Sequence, residues 1–374
     1  MTAALPDAAY AAALAGFESM TVHRLAALLR HRTPAEAWEV AAGHAPAEGL
    51  VATVLADDTV RSAWRRSASS RPPDEVWANL CDLGIDVLVA ADARYPGILL
   101  TDPLPPPVLF ARGDVALLGG RRVGIVGTRN ATHAGRTAAR RLAADLAASG
   151  VHVVSGLARG IDGAAHAAVV AGEAPGRPIA VVGSGPDVVY PAEHRELWEA
   201  VCNCGLLLTE APPGAAPLAH RFPLRNRLIA ALSEVLVVVE SRRTGGSLIT
   251  ASAALERGVP LMAVPGLPST RAAEGTNELL RDGAAPVLDA GDVLAVLAIE
   301  HRRAAHAPEL RARPRPDDID VYDALGAQPR TVDGVALACG LSLVEAAMRL
   351  ARLEQAGWIG GTDGWFERIG APLR

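Results

Sequence analysis

Lysine is absent: every one of the 36 cationic side chains in the 374 residues is arginine. That excludes Schiff-base chemistry and a Walker-type phosphate loop, which need a lysine amine. Phosphate binding stays open, because the guanidinium fork suits phosphate oxygens. Aromatic residues make up only 4%, so aliphatic side chains must build the cores. Cysteine is limited to Cys81, Cys202, Cys204 and Cys339, too few and too irregular for a disulfide framework or a four-ligand zinc site. Buried thiols are expected instead, with no metal and no cofactor. No apolar run approaches the roughly 18 residues of a membrane span, and the first seven residues carry neither the basic nor the apolar part of a secretory leader. A cytoplasmic protein with no membrane partner is the expectation. Charge of one sign is not in excess either, with a net of −5, so anion binding must come from a local basic surface.

Half of the residues are hydrophobic and 21% are charged, a globular balance in a chain too long for one core. Residues 8–80 carry helical periodicity, with Val22, Leu25, Leu28 and Leu29 on one face. Thr33-Pro34-Ala35-Glu36 opens a helix, with proline at its first position and glutamate completing a capping box. Residues 1–82 are therefore expected to form a small helical, SAM-like domain. Short strand signals follow at Val87–Val89 and Val108–Phe110. From Arg121 six aliphatic runs recur, at Val123–Gly127, Val151–Gly156, Ile179–Gly183, Leu206–Glu210, Val235–Glu240 and Leu261–Gly266. Runs that are apolar throughout suit strands covered on both faces, the mark of an open parallel α/β sheet. A Rossmann-like domain over 83–300 is expected. Residues 301–318, rich in arginine and proline, read as a linker. Three short helices and a hairpin over 319–374 read as a winged-helix-like module.

Glycine-rich turns close several of these strands. Gly127-Thr128-Arg129 follows the first run and Ser155-Gly156-Leu157-Ala158-Arg159-Gly160 the second. Backbone N–H groups at such turns, with a helix behind them, would face an anion, and Arg129 and Arg159 add charge at the rim. The spacing is not that of a dinucleotide fingerprint. From Arg121 to His166 there are seven arginines against two aspartates, a local excess of five positive charges. Asp162 and His166 are expected to serve as a helix N-cap and a structural histidine. Further on, Arg225-Asn226-Arg227 offers donors without a general base, and Thr244-Gly245-Gly246-Ser247 is another glycine-plus-hydroxyl turn opening a helix.

In this order the motifs resemble the DprA/Smf family of DNA-processing proteins. The likeness covers roughly Tyr95 to Leu288 and includes IVGTR, SGLARGID, Tyr190-Pro191, FPLRNR, GGSLIT, AVPG and GTNELLRDGA. The resemblance implies a non-enzymatic protein that binds single-stranded DNA in a basic pocket, protects incoming strands during transformation and helps to load the RecA recombinase; a homodimer is expected. It places the family's basic residues on Arg129, Arg159, Arg225 and Arg227; together with the turns read above, strand contact is expected also at Gly127, Thr128, Ser155, Gly156, Gly160, Asn226, Gly246 and Ser247. Three departures stand out. Gly245 replaces a serine of the family's SGS, His194 replaces an asparagine after Tyr190-Pro191, and Gly16–Met20 lacks an open helix-hairpin-helix turn.

Two other readings compete. A phosphoribohydrolase-like nucleotide enzyme would use a glutamate shortly after a GG turn, yet no carboxylate follows Gly246 before Glu256. A winged-helix regulator would need a basic recognition helix, whereas Ser342–Gln355 balances Glu345 and Glu354 against Arg349 and Arg352. A partner or regulatory role suits that module better.

Overall fold

The computed structural model describes residues 4–306, 314–325, 330–362 and 364–368, with the side chains of 299–306, 362 and 367 left aside. The chain forms two compact units, residues 1–298 and 299–374.

Six helices open the first unit: α1 (Asp7–Ala15), α2 (Val22–Leu29), α3 (Pro34–Ala42), α4 (Gly49–Leu55), α5 (Asp58–Ser70) and α6 (Pro73–Asp82). The Thr33 hydroxyl accepts from the Glu36 N–H while the Glu36 carboxylate accepts from the Thr33 N–H, the box expected at the start of α3. Phe17 meets Trp38 edge-on, with ring centroids 5.1 Å apart, in a core completed by Leu14, Leu28 and Trp64. This core does not stop at the helices. Val87, Val108 and Phe110 of the following strands belong to it, so the helical segment is joined to the sheet rather than set apart from it.

The sheet is built from β1 (Asp86–Val89), α7 (Gly97–Leu100), β2 (Val108–Gly113), β3 (Arg122–Val126), α8 (His133–Ala148), β4 (His152–Ser155), α9 (Ile161–Ala171), β5 (Pro178–Val181), α10 (Arg195–Cys204), β6 (Leu206–Thr209), α11 (Arg221–Leu232), β7 (Val235–Val238), α12 (Gly246–Leu255), β8 (Leu261–Ala263), α13 (Glu274–Arg281), β9 (Ala285–Pro286) and α14 (Ala290–His306). Its nine strands run in the order β1-β2-β6-β5-β4-β3-β7-β8-β9. The six strands expected from the aliphatic runs, together with β9, form the parallel part, and β1 and β2 extend it antiparallel. Consecutive residues face opposite layers: Val235 and Val237 pack with Leu142 and Leu146 of α8, while Leu236 and Val238 pack with Leu228 and Leu232 of α11. The chain proceeds from β3 outward through β4, β5 and β6, then returns to place β7 on the other side of β3. Ligands of open α/β sheets bind at such a reversal, beyond the carboxyl ends of the strands.

The second unit contains α15 (Pro316–Ala324), β10 (Arg330–Thr331), α16 (Val332–Cys339), α17 (Leu343–Gln355), β11 (Ile359–Thr362) and β12 (Trp365–Arg368). The strands make an antiparallel sheet in the order β10-β12-β11. Val321, Leu350, Leu353 and Trp358 form its core, with Tyr322 edge-on to Trp358 at 5.8 Å. The expected linker is shorter than composition suggested. Residues 301–306 continue α14, Pro316–Asp318 open α15, and residues 307–313 lie outside those described. Of the four thiols only Cys202 is buried, and Cys81 is exposed, which corrects the expectation of buried thiols. No single helix among the described residues is long and apolar enough to cross a membrane.

His166 lies fully buried on α9, and burial pushes its pKa down to about 4. The unfolded chain protonates this ring near pH 6.5. Stability from the neutral ring is therefore complete above about pH 6.5 and is lost as the pH falls toward 4, by up to about 3 kcal/mol. Urea unfolding of His166→Gln against the unsubstituted chain should show a flatter dependence of stability on pH across that window.

Candidate nucleic-acid interface

Turns at the carboxyl ends of β3, β4 and β7 and the start of α11 meet where the strand order reverses. They line two adjoining cavities. One, of about 190 Å³, has Arg129, Asn130, Arg159, Ser184, Tyr190 and Phe222 in its wall. The other, of about 400 Å³, is bordered by Thr128, Asp162, Asn226, Arg242, Gly246 and Ser247. Arg129, Asn130, Ala158, Phe222 and Arg225 belong to both, so the two form one groove along the sheet edge.

The groove floor is already neutralised from within. The Asp162 carboxylate accepts the N–H groups of Gly156, at 3.1 Å, and of Gly127. Burial raises its pKa, an effect opposed by the nearby Arg225. Gly127 brings its turn so close to α9 that a Cβ there would collide with Ile161. Beside it, the Glu240 carboxylate accepts from the Thr132 N–H and hydroxyl at 2.8 and 2.7 Å, capping the start of α8, and the Glu240 carbonyl accepts from the Thr128 N–H at 2.7 Å. The expectation that the Gly127 and Gly156 amides hold phosphates is thereby corrected: internal carboxylates take the place of the external anion. Nor is Asp162 the cap of α9. Gly160 is, at a φ of +78° that favours glycine.

The arginines divide into a rim and an interior. Arg129 is exposed, its guanidinium carbon 4.9 Å from the centroid of the Phe222 ring, and it has no carboxylate partner among the described residues. Arg159 is also exposed, with Nη2 donating to Glu193 Oε2 at 2.6 Å. Arg225 is buried, donating to the carbonyl oxygens of Gly156, at 2.5 Å, and Val181. Burial pushes its pKa down to about 10. Arg227 is buried too, donating to Glu210 Oε1 at 2.5 Å and to the Leu104 carbonyl at 2.7 Å, with Asp102 at 3.9 Å. Both were expected to present free charge to a strand. They face inward with Leu228 and Ile229 on α11, and act as braces. Ser155 and Ser247 are likewise buried and engaged, with the Ile125 carbonyl at 2.6 Å and the Ser241 hydroxyl at 2.8 Å. Ser155, Gly160 and Arg227 do not line the groove, whereas Gly127, Thr128, Arg129, Gly156, Arg159, Arg225, Asn226, Gly246 and Ser247 do. The local excess of arginine also disperses. Arg121 pairs with Glu234, and Arg122 donates to the Leu232 and Gly120 carbonyls at the opposite end of β3.

Residues 86–298 match the family model described as DNA recombination-mediator protein A. The chain belongs to that family. Within and around it, the chain is 34% identical to Protein Smf of Escherichia coli over 343 residues, covering 89% of this chain and 90% of that one. The solved DNA processing protein A of Streptococcus pneumoniae superposes with a TM-score of 0.63 at 28% identity, over 78% of this chain and 98% of that one. That of Helicobacter pylori, a structure concerned with its single-stranded DNA binding mode, gives 0.51 at 28% identity over 58% of this chain and 96% of that one.

For this member of the family, the expected contact residues leave out several that line the groove, Asn130, Tyr190, Phe222 and Arg242 among them. Tyr190 is 39% exposed, with its ring centroid 5.5 Å from that of Phe222. The sequence shows it as part of a Tyr-Pro pair, but nothing in the chain order places it beside a segment more than thirty residues later. Arg242 is exposed and lines the larger cavity, without a carboxylate partner among the described residues. The signal was available, since two arginines directly precede the Thr244-Gly245-Gly246 turn. The substituted His194 has a local use, its Nδ1 lying 3.0 Å from the Leu157 carbonyl.

The division into rim and interior is testable by stability. Arg225→Met and Arg227→Met should each cost about 3 kcal/mol, since each leaves buried partners unsatisfied. Arg129→Ala should stay within about 0.5 kcal/mol of the unsubstituted chain. Chemical denaturation of the three variants separates the classes.

Proposed function

We propose that the groove is the path of a single DNA strand and that the chain binds the strand without transforming it. The observation that carries this reading is the row Arg129–Phe222–Tyr190. An unpaired guanidinium lies over one ring, and a second ring lies beside the first, on an exposed edge between two cavities. Unpaired bases stack on such rings and on guanidinium planes, and every base has a face to offer, so binding tolerates sequence. Arg129 and Arg242 supply charge to the phosphates. Arg159 does so after yielding Glu193, while Asn130 and Asn226 offer amide donors. The Helicobacter pylori relative, described by its single-stranded DNA binding mode, supports the same reading.

Absence of catalysis is part of the proposal. Asp162 is the one carboxylate in the groove wall among the described residues, and its oxygens are committed to backbone N–H groups. A nucleotide hydrolase acting in this groove would need a carboxylate free to act there. Delivery of the strand to a RecA-type recombinase, by a homodimer, belongs to the same proposal; membership of a recombination-mediator family supports it. The second unit fits a partner-binding role better than duplex reading. Arg352 pairs with Asp318 and Arg349 donates to the Asp317 carbonyl, so both arginines of α17 are engaged by α15.

Salt titration of single-stranded oligonucleotide binding tests the assignment. Arg129→Ala and Arg242→Ala should weaken binding and each reduce the slope of log K against log salt by about 0.7. Phe222→Ala should cost about 1–3 kcal/mol with little change in slope, and Glu193→Gln should tighten binding at low salt by releasing Arg159. Unchanged slopes in both arginine variants would reject the groove as the strand path.

A further inference from the structure

Next to the groove lies a cavity of about 330 Å³ that the strand path described above does not use. Its walls come from separate parts of the chain. Met20, Val22 and Leu25 belong to the helical segment, Leu104 and Pro107 to the loop before β2, and Leu224 and Leu228 to α11. It shares Val182, Gly183 and Arg225 with the smaller groove cavity. Exposed Thr21, His23, His220 and Leu224 border it on the solvent side.

Two polar groups in this wall have unused capacity. Arg221 has a buried Nε without a hydrogen-bond partner, its guanidinium meets no carboxylate among the described residues, and burial pulls its pKa down. Donors kept from water and left unpaired are costly. Glu210 gives Oε1 to Arg227, while its Oε2 has no hydrogen-bond partner among the described residues. A ligand for this cavity therefore needs apolar faces, an acceptor for Arg221 and an N–H for Glu210. A phosphate meets only the second requirement. A nucleobase meets all three, and the volume lies in the range of small-ligand pockets.

We propose that this cavity receives one unstacked base of the bound strand, guanine in preference, with Arg221 donating to its O6 and N7 edge and Glu210 accepting an N–H of its Watson–Crick edge. This assignment rests on the groove being the strand path, and it adds base preference to a surface that is otherwise blind to sequence. It also gives the helical segment a part in recognition, since Met20, Val22 and Leu25 close one side.

The test is equilibrium binding of the full chain to thymine oligonucleotides in which one central position carries guanine, adenine, cytosine or no base. The guanine strand should bind about fivefold more tightly than the abasic one, the low end of what a good base-edge contact contributes. Arg221→Met, which removes the donors, and Met20→Trp, which fills the space, should each bring that ratio close to one. Equal binding of all the strands by the unsubstituted chain, or a guanine advantage that survives both substitutions, would overturn the base cavity while leaving the groove in place. Failure to bind any strand, thymine included, would overturn the groove and the cavity together.

Discussion

The Asp162 carboxylate, held among the amides of Gly127 and Gly156 with Arg225 behind it, sets the character of the whole sheet edge. In a nucleotide-binding α/β protein those amides and the adjoining helix start would face a ligand phosphate. Here the anion is built in. Through the carbonyls of Gly156 and Val181, Arg225 ties the ends of β4 and β5 to α11, while Asp162 ties β3 and β4 to α9. The glycine turns become a rigid neutral floor, and the charge left for a ligand is displaced outward to side chains on the rim.

That displacement reconciles an arginine-only, aromatic-poor composition with the strand binding proposed above. Few rings are needed when two of them, Phe222 and Tyr190, stand together and a guanidinium extends the row. Arginine serves this purpose where lysine would not, because its planar head stacks as well as carrying charge. The interior arginines serve the fold instead. Arg227 and Arg257 enclose Asp102, and Arg227 also reaches Glu210, in a buried network joining the loop before β2, the end of β6, α11 and the end of α12. Each buried cation there has a carboxylate or carbonyl beside it, the condition under which such burial is tolerated.

Much of the architecture was legible because its signals are local. Aliphatic runs closed by glycine or glutamate marked six of the parallel strands to within three residues at either end, and Thr33 with Glu36 marked the start of α3. Strand order was not legible, and with it went the knowledge of which turns share an edge. The position of the groove followed from strand ends, since ligand turns in open sheets lie there. Its inner chemistry did not follow. Arg225 and Arg129 look alike in a sequence, yet one lies on the inward face of α11 and the other on an exposed turn. Asp162 resembled a helix cap because its bond partners, Gly127 and Gly156, are set by the packing of β3 against β4. Tyr190 joins Phe222 through the loop that follows β5, a contact that no spacing rule reports.

Phe110, Val87 and Val108 place the antiparallel end of the sheet inside the same core as Trp38 and Trp64. The first eighty or so residues are thus the lining of that border and not a detachable appendage. A shortened chain beginning at β1 would turn those three side chains out to solvent, an apolar patch of the kind that drives association. Any dissection of this protein that treats the helices as optional would study an adhesive fragment.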